Sequence, residues 1–137
     1  MQNKYIIFGI VLGIIVIIFL VYNTTTTGPE KSLGYKTITS EDAKIELDND
    51  NSIILIDVRT QPEYNEGHIE NSILIPLDEL ESRIINVVKD KNTKLFVYCK
   101  SGGRSKTASN LLIDLGYTNV YDLGGILDWK YDIITSE

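Results

Sequence analysis

The feature that most constrains the fold is a pair of short, uninterrupted apolar runs, IILI at residues 53–56 and LFVY at residues 95–98. Polar residues flank the first run, the second lies between Lys94 and Cys99, and runs this short are typical of strands rather than of helices. A strand that is apolar at every position is buried on both faces, as in parallel sheets covered by helices on both sides. The two runs therefore predict the centre of a parallel sheet.

Apolar residues recur at helical spacing over residues 77–88 and 103–115, and a Thr39–Asp42 pattern resembling a capping box opens a helix that ends near residue 47. The remaining predicted elements are strands at residues 35–38, 72–75 and 119–122 and a short helix at residues 125–130. Alternation of strands and helices predicts an α/β fold, with a mostly parallel central sheet of about five short strands and helices on both faces.

An uncharged apolar segment precedes this pattern at residues 5–22. Eighteen helical residues span about 27 Å, close to the thickness of a bilayer core. Tyr5 and Tyr22 bracket the segment, as interfacial aromatic residues do. A cleaved signal peptide would have a shorter apolar core followed by small residues, so we expect residues 1–22 to form an uncleaved transmembrane anchor.

The anchor divides the chain into three parts. Residues 23–33 combine Thr, Gly, Pro and Ser without an apolar period, which predicts a linker, and residues 34–137 form the folded domain. Lys4 is the only basic residue before the apolar segment, so the positive-inside rule places the N-terminus in the cytoplasm and the domain on the extracytoplasmic side.

Charge and residue content exclude several classes of function. The net charge of −6 disfavours nucleic acid binding, which needs a basic face. The single cysteine, Cys99, excludes an intramolecular disulfide, and the single histidine, His68, excludes a histidine-rich metal site. We therefore expect no metal and no cofactor.

The loop CKSGGRS at residues 99–105 lies between a predicted buried strand and a predicted helix. Gly102 and Gly103 allow a tight turn in which successive N–H groups point inward and form an anion site, reinforced by the positive end of the helix. Arg104 can fold back and hold an oxyanion, and Lys100 adds a second positive charge. A cysteine in this setting ionises easily, so Cys99 is a candidate nucleophile rather than an inert buried thiol.

Three motifs, in order, resemble those of the rhodanese-like domain family. Cys99 and Arg104, separated by four residues, are similar to the active-site loop of single-domain rhodaneses. Four segments are similar to the upstream motif of the family: IDVR (56–59), EY (63–64), GHI (67–69) and IP (75–76). Gly124-Gly125 followed by Trp129 resembles the closing motif of the family. The resemblance runs from about residue 35 to residue 130.

This resemblance implies a sulfurtransferase. The Cys99 thiolate would take a sulfane sulfur from a small anionic donor such as thiosulfate and pass it from a persulfide to an acceptor: cyanide, a thiol or a partner protein. The substrate-binding residues would be Lys100, Ser101, Gly102, Gly103 and Arg104.

Three further residues are expected to support the structure: Asp57, Arg59 and His68. Asp57 follows a buried strand, where an ion pair or hydrogen-bond anchor is commoner than a catalytic carboxylate. His68 could act as a general base, but it lies in the upstream motif, away from the cysteine loop in sequence.

Two other functions compete with sulfur transfer. Protein tyrosine phosphatases place five residues between cysteine and arginine, usually with histidine before the cysteine, whereas four residues intervene here and Tyr98 precedes Cys99. A non-catalytic binding or sensing module usually lacks the cysteine. Both alternatives are therefore less favoured than a sulfurtransferase.

Overall fold

The computed structural model of this chain describes residue 14 and residues 34–135. Within residues 34–135, five strands form one sheet: β1 (Lys36–Thr37), β2 (Ile54–Asp57), β3 (Ile73–Leu74), β4 (Leu95–Cys99) and β5 (Val120–Gly125). The strand order is β1-β5-β4-β2-β3, and all four neighbouring pairs are parallel. The predicted parallel sheet is confirmed, and the two apolar runs lie side by side in it as β2 and β4.

Four α-helices connect the strands: α1 (Ser40–Asn49), α2 (Gln61–Glu66), α3 (Leu80–Val87) and α4 (Gly103–Asp114). Thr39 caps α1, since its side chain accepts a hydrogen bond from the Asp42 N–H at 3.1 Å, as the sequence predicts. Single turns of 3-10 helix at Leu77–Glu79 and Ile126–Asp128 precede α3 and follow β5.

Two predictions about these elements were wrong. Helix α2 was not predicted, because it is six residues long and buries none of them, so it has no apolar periodicity. The helix predicted at residues 125–130 is a single 3-10 turn, because β5 continues to Gly125, which pairs with Cys99 of β4.

The central strand β4 separates two hydrophobic clusters. Leu95 and Val97 pack in the cluster that contains residues of α3 and α4, whereas Phe96 and Tyr98 pack in the cluster that contains Ala43 of α1. Every residue of β4 is buried. Helices therefore cover both faces of the sheet, as predicted.

In residue 14 and residues 34–135, no helix is long and apolar enough to cross a membrane. Apart from Ile14, the expected anchor at residues 1–22 and linker at residues 23–33 lie outside the described residues and stay predictions.

Helix α4 offers a matched pair of substitutions, because Ser105 and Ser109 are both fully buried and lie one turn apart. Ser109 Oγ has no hydrogen-bond partner in the described part of the chain, whereas Ser105 Oγ donates to Asp122 Oδ1 at 2.6 Å. We expect Ser109→Ala to raise the free energy of unfolding by about 1 kcal/mol, because it removes an uncompensated hydroxyl and adds a better helix former. Ser105→Ala should lower it by about 1–3 kcal/mol, because the buried Asp122 carboxylate loses one of the two hydrogen-bond donors that it has within residues 34–135.

Urea denaturation followed by circular dichroism measures both changes. Equal destabilisation by the two substitutions would contradict the prediction, because it would mean that the two hydroxyls are equally well bonded.

Candidate active site

The cysteine loop occupies the turn from β4 to α4, at the carboxyl edge of the parallel sheet, where open α/β folds bind their ligands. Cys99 is the last residue of β4 and is 1% exposed. The turn depends on Gly102, whose φ of +101° lies in the left-handed region that a side chain disfavours. Helix α4 then begins at Gly103.

Backbone N–H groups surround the Cys99 sulfur. The Gly102 N–H donates to Sγ at 3.1 Å. Burial acts to raise the pKa of the Cys99 thiol, but hydrogen bonds from the loop, chiefly from the N–H groups of Ser105 and Gly102, outweigh it and lower the pKa. The loop therefore favours the thiolate, which is the nucleophilic form.

The end of β5 packs directly against the cysteine loop. A Cβ on Gly125 would lie 2.7 Å from Ser101 Cα and would collide with the Lys100 carbonyl, so only glycine permits this approach. The Leu127 N–H donates to the Lys100 carbonyl at 3.2 Å. Gly125 of the closing motif thus lets β5 contact the cysteine loop directly.

Ser105 and Asp122 link the same two elements through side chains. Ser105 Oγ lies 2.6 Å from Asp122 Oδ1 and 3.1 Å from the Gly102 carbonyl, and the Gly124 N–H donates to the same Asp122 oxygen at 2.9 Å. Neither residue is among the site residues predicted from the sequence. The sequence feature that could have indicated Asp122 is its position in the short strand predicted at residues 119–122. A carboxylate that is buried in a strand needs hydrogen-bond donors from neighbouring elements.

Arg104 makes a contact that the sequence did not predict. We expected it to hold an oxyanion over the loop, but its guanidinium forms a bidentate ion pair with Glu63, with Nη1–Oε2 at 2.8 Å and Nη2–Oε1 at 2.7 Å. Arg104, and to a smaller extent the N–H and hydroxyl of Thr60, hold the pKa of Glu63 well below its usual range against the effect of burial. Glu63 is a site residue that was not predicted from the sequence, although the sequence contains the Thr60–Glu63 capping box.

The rest of the loop faces solvent. Lys100, Ser101 and Gly103 are exposed, and no ion pair to Lys100 occurs within residues 34–135. Lys100 therefore contributes an uncompensated positive charge. In the same range, no group of three His, Cys, Asp or Glu side chains is placed to hold a metal ion.

Asp57 and Arg59 form a buried ion pair at 2.7 Å. Arg59 also donates to the Gly67 carbonyl at 2.7 Å, so the pair ties the end of β2 to the segment after α2. His68 stacks on Tyr64 with ring centroids 3.6 Å apart, and its Nδ1 lies 2.9 Å from the Tyr64 carbonyl oxygen. These contacts fit a supporting role for all three residues.

A parallel α/β domain with a buried cysteine at a strand end, in a loop that lowers the pKa of the thiol, can present a thiolate to small anions or transferred groups. Residues 39–132 match the rhodanese-like domain family, so the chain is a member of that family.

Relatives of this chain indicate the general chemistry. Thiosulfate sulfurtransferase PspE of Escherichia coli (strain K12) is 42% identical over 73 residues, which cover 53% of this chain and 70% of that protein. A sulfurtransferase of Allochromatium vinosum is 33% identical over 93 residues, covering 67% and 85% of the two chains. A solved structure, a rhodanese with anions from E. coli, is similar with a TM-score of 0.58 and 37% identity, covering 61% and 98%. Family and relatives together support sulfur transfer as the class of activity.

The lowered pKa of Cys99 predicts the pH dependence of its alkylation. Iodoacetamide reacts with the thiolate, so the rate should rise with pH to a plateau, with a midpoint below the value of about 8.5 for a free cysteine. Restricted access of iodoacetamide to the buried sulfur slows the reaction by the same factor at every pH, so it does not move the midpoint. Alkylation reactions quenched at timed intervals and measured by mass spectrometry give the rate at each pH.

The same chain unfolded in guanidinium chloride is the control, because unfolding removes the ring of N–H donors. The two midpoints should differ, with the folded one lower. A folded midpoint at or above the unfolded one would show that burial outweighs the hydrogen bonds.

Proposed function

We propose that this protein is a rhodanese-type sulfurtransferase that carries a sulfane sulfur as a persulfide on Cys99. The observation that carries the proposal is the position of the thiol: it ends a buried strand and lies within a ring of backbone N–H donors that lowers its pKa. The same donors can stabilise a terminal persulfide sulfur, which also carries negative charge.

Sulfur uptake is a displacement at the outer sulfur of the donor. With thiosulfate, the Cys99 thiolate attacks the sulfane sulfur, a new S–S bond forms, and the original S–S bond breaks to release sulfite with its electron pair. The products are the Cys99 persulfide anion and sulfite, so charge and atoms balance without an added oxidant or reductant.

Sulfur delivery regenerates the thiolate. A nucleophilic acceptor, such as cyanide or a thiolate, attacks the outer persulfide sulfur, and the electron pair of the broken S–S bond returns to Cys99 Sγ. One cysteine is sufficient for the cycle, because the persulfide is its only covalent intermediate.

An anionic donor fits the charge of the loop. Lys100 is exposed and carries the uncompensated charge, and the N–H groups of the loop offer hydrogen bonds to donor oxygens. The E. coli relative is named a thiosulfate sulfurtransferase, and the similar solved structure is a rhodanese with anions, which supports thiosulfate as the donor to test first.

Substitution of the nucleophile tests the proposal. We expect the full chain to form thiocyanate from thiosulfate and cyanide and to gain the mass of one sulfur atom after thiosulfate treatment alone. Cys99→Ser should lose both properties, because a hydroxyl is a far weaker nucleophile at neutral pH. Colorimetric thiocyanate detection and intact-mass spectrometry give the two readouts.

Asn110→Ala is the control, because Asn110 is exposed about two turns into α4 and lies outside the cysteine loop, and this variant should keep both properties. Absence of both thiocyanate and the sulfur adduct in the unsubstituted chain, with several sulfane donors, would contradict sulfur transfer and favour a non-catalytic binding module.

We also propose that residues 1–22 anchor the protein in a membrane, with the domain on the extracytoplasmic side. The apolar length and the position of Lys4 support this arrangement. The full chain should stay in the membrane pellet after alkaline carbonate extraction, whereas a variant lacking residues 1–22 should be released. Protease added outside spheroplasts should digest the domain of the full chain, and protection from protease would reverse the proposed orientation.

A further inference from the structure

The ion pair between Arg104 and Glu63 changes the charge of the proposed donor site. The two side chains are joined by two hydrogen bonds between elements far apart in sequence, and they are 35% and 24% exposed. A guanidinium has five N–H groups, so Arg104 keeps three for a ligand. The pair as a whole carries no net charge.

Glu63 is held in place before any ligand arrives. Its Oε2 accepts hydrogen bonds from the Thr60 N–H at 3.0 Å and from the Thr60 hydroxyl at 2.8 Å, in the capping box of α2. These bonds fix the carboxylate independently of Arg104. A donor anion would therefore meet an arginine whose charge is already compensated.

We propose that Glu63 determines the charge selectivity of the donor site: by neutralising Arg104, it makes the site less selective for a dianionic donor over a monoanionic one. The proposal rests on sulfur transfer through Cys99. It assigns Glu63 as a specificity-determining residue that acts through Arg104, while Lys100 supplies the remaining positive charge.

Coulomb's law makes the proposal quantitative. A uniform change in site charge alters the binding free energy of a donor in proportion to the donor's own charge. For one unit of charge about 8 Å away in water, the effect is about twofold for a monoanion and about fivefold for a dianion. Thiosulfate is a dianion and methanethiosulfonate is a monoanion, and both offer a sulfane sulfur.

The test measures kcat/KM for both donors with the full chain and its Glu63→Gln variant. The ratio of the two values within one variant cancels any change in Cys99 reactivity that both donors share. We expect Glu63→Gln to raise kcat/KM about fivefold for thiosulfate and about twofold for methanethiosulfonate at low ionic strength. The gain should shrink in high salt, because salt screens exposed charges.

Glu66→Gln is the matched control: it removes the same charge from the same helix, but Glu66 is exposed and forms no ion pair within the described residues. Because Glu66 neutralises no arginine within the described residues, this variant should change the thiosulfate-to-thiosulfonate ratio clearly less than Glu63→Gln does. Glu63→Asp keeps the charge and should also keep the ratio near that of the unsubstituted chain.

A double variant, Glu63→Gln with Arg104→Gln, keeps the proposal testable if the single variant does not fold. The two glutamines carry no charge, and the native ion pair carries no net charge. The ratio of kcat/KM for the two donors should therefore stay at the native value. If the double variant has a lower ratio of kcat/KM for thiosulfate to kcat/KM for methanethiosulfonate than the unsubstituted chain, the proposal is overturned. That result would mean that Arg104 acts as a full positive charge in the native chain. An unchanged or lower ratio in folded Glu63→Gln would overturn it as well.

Failure of this inference is distinguishable from failure of the proposed function. If the unsubstituted chain gains no sulfur from either donor, sulfur transfer itself is wrong. If the chain gains sulfur but the ratio does not respond to Glu63, only the selectivity role is wrong.

Discussion

The negative charge of a buried thiolate is the constraint on which the rest of the site depends. Cys99 is at the end of a strand that is buried along its whole length, so desolvation opposes ionisation, and hydrogen bonds to the sulfur reverse that effect. The loop supplies them because Gly102 adopts a left-handed conformation. The close approach of Gly125 then holds the loop against β5. Backbone geometry, more than any charged side chain, thus lowers the pKa of this cysteine.

The charged side chains around the loop are largely compensated by one another. Arg59 is paired with Asp57 in the interior, and Arg104 is paired with Glu63 at the edge of the site. The first pair fixes the segment that follows β2. The second leaves Arg104 as a hydrogen-bond donor without net charge, so Lys100 and the N–H groups remain to attract an anion. A loop that contains two cations therefore presents about one unit of free positive charge.

Elements with a strong local pattern of apolar residues were predicted correctly, and the wrong predictions concern elements without one. Strands β2 and β4 were predictable because four consecutive apolar residues have few alternatives to burial in a sheet. Helix α2 was missed because it buries no residue, and it is stabilised by a capping box rather than by an apolar face. The final predicted helix was wrong because pairing of Gly125 with Cys99 extends β5, and that pairing depends on a neighbouring strand.

The sequence by itself determined the α/β class, the position of Cys99 at a strand end and the membership of a family, because these follow from apolar periodicity and from motifs contiguous along the chain. Only the tertiary structure decided the partners of the polar groups. The bond between Ser105 and Asp122 and the ion pair between Arg104 and Glu63 join segments 17 and 41 residues apart. Such pairings depend on distances across packed elements, and several carboxylates in the sequence could have served Arg104. The fold places Glu63 beside Arg104, and the resulting ion pair carries no net charge.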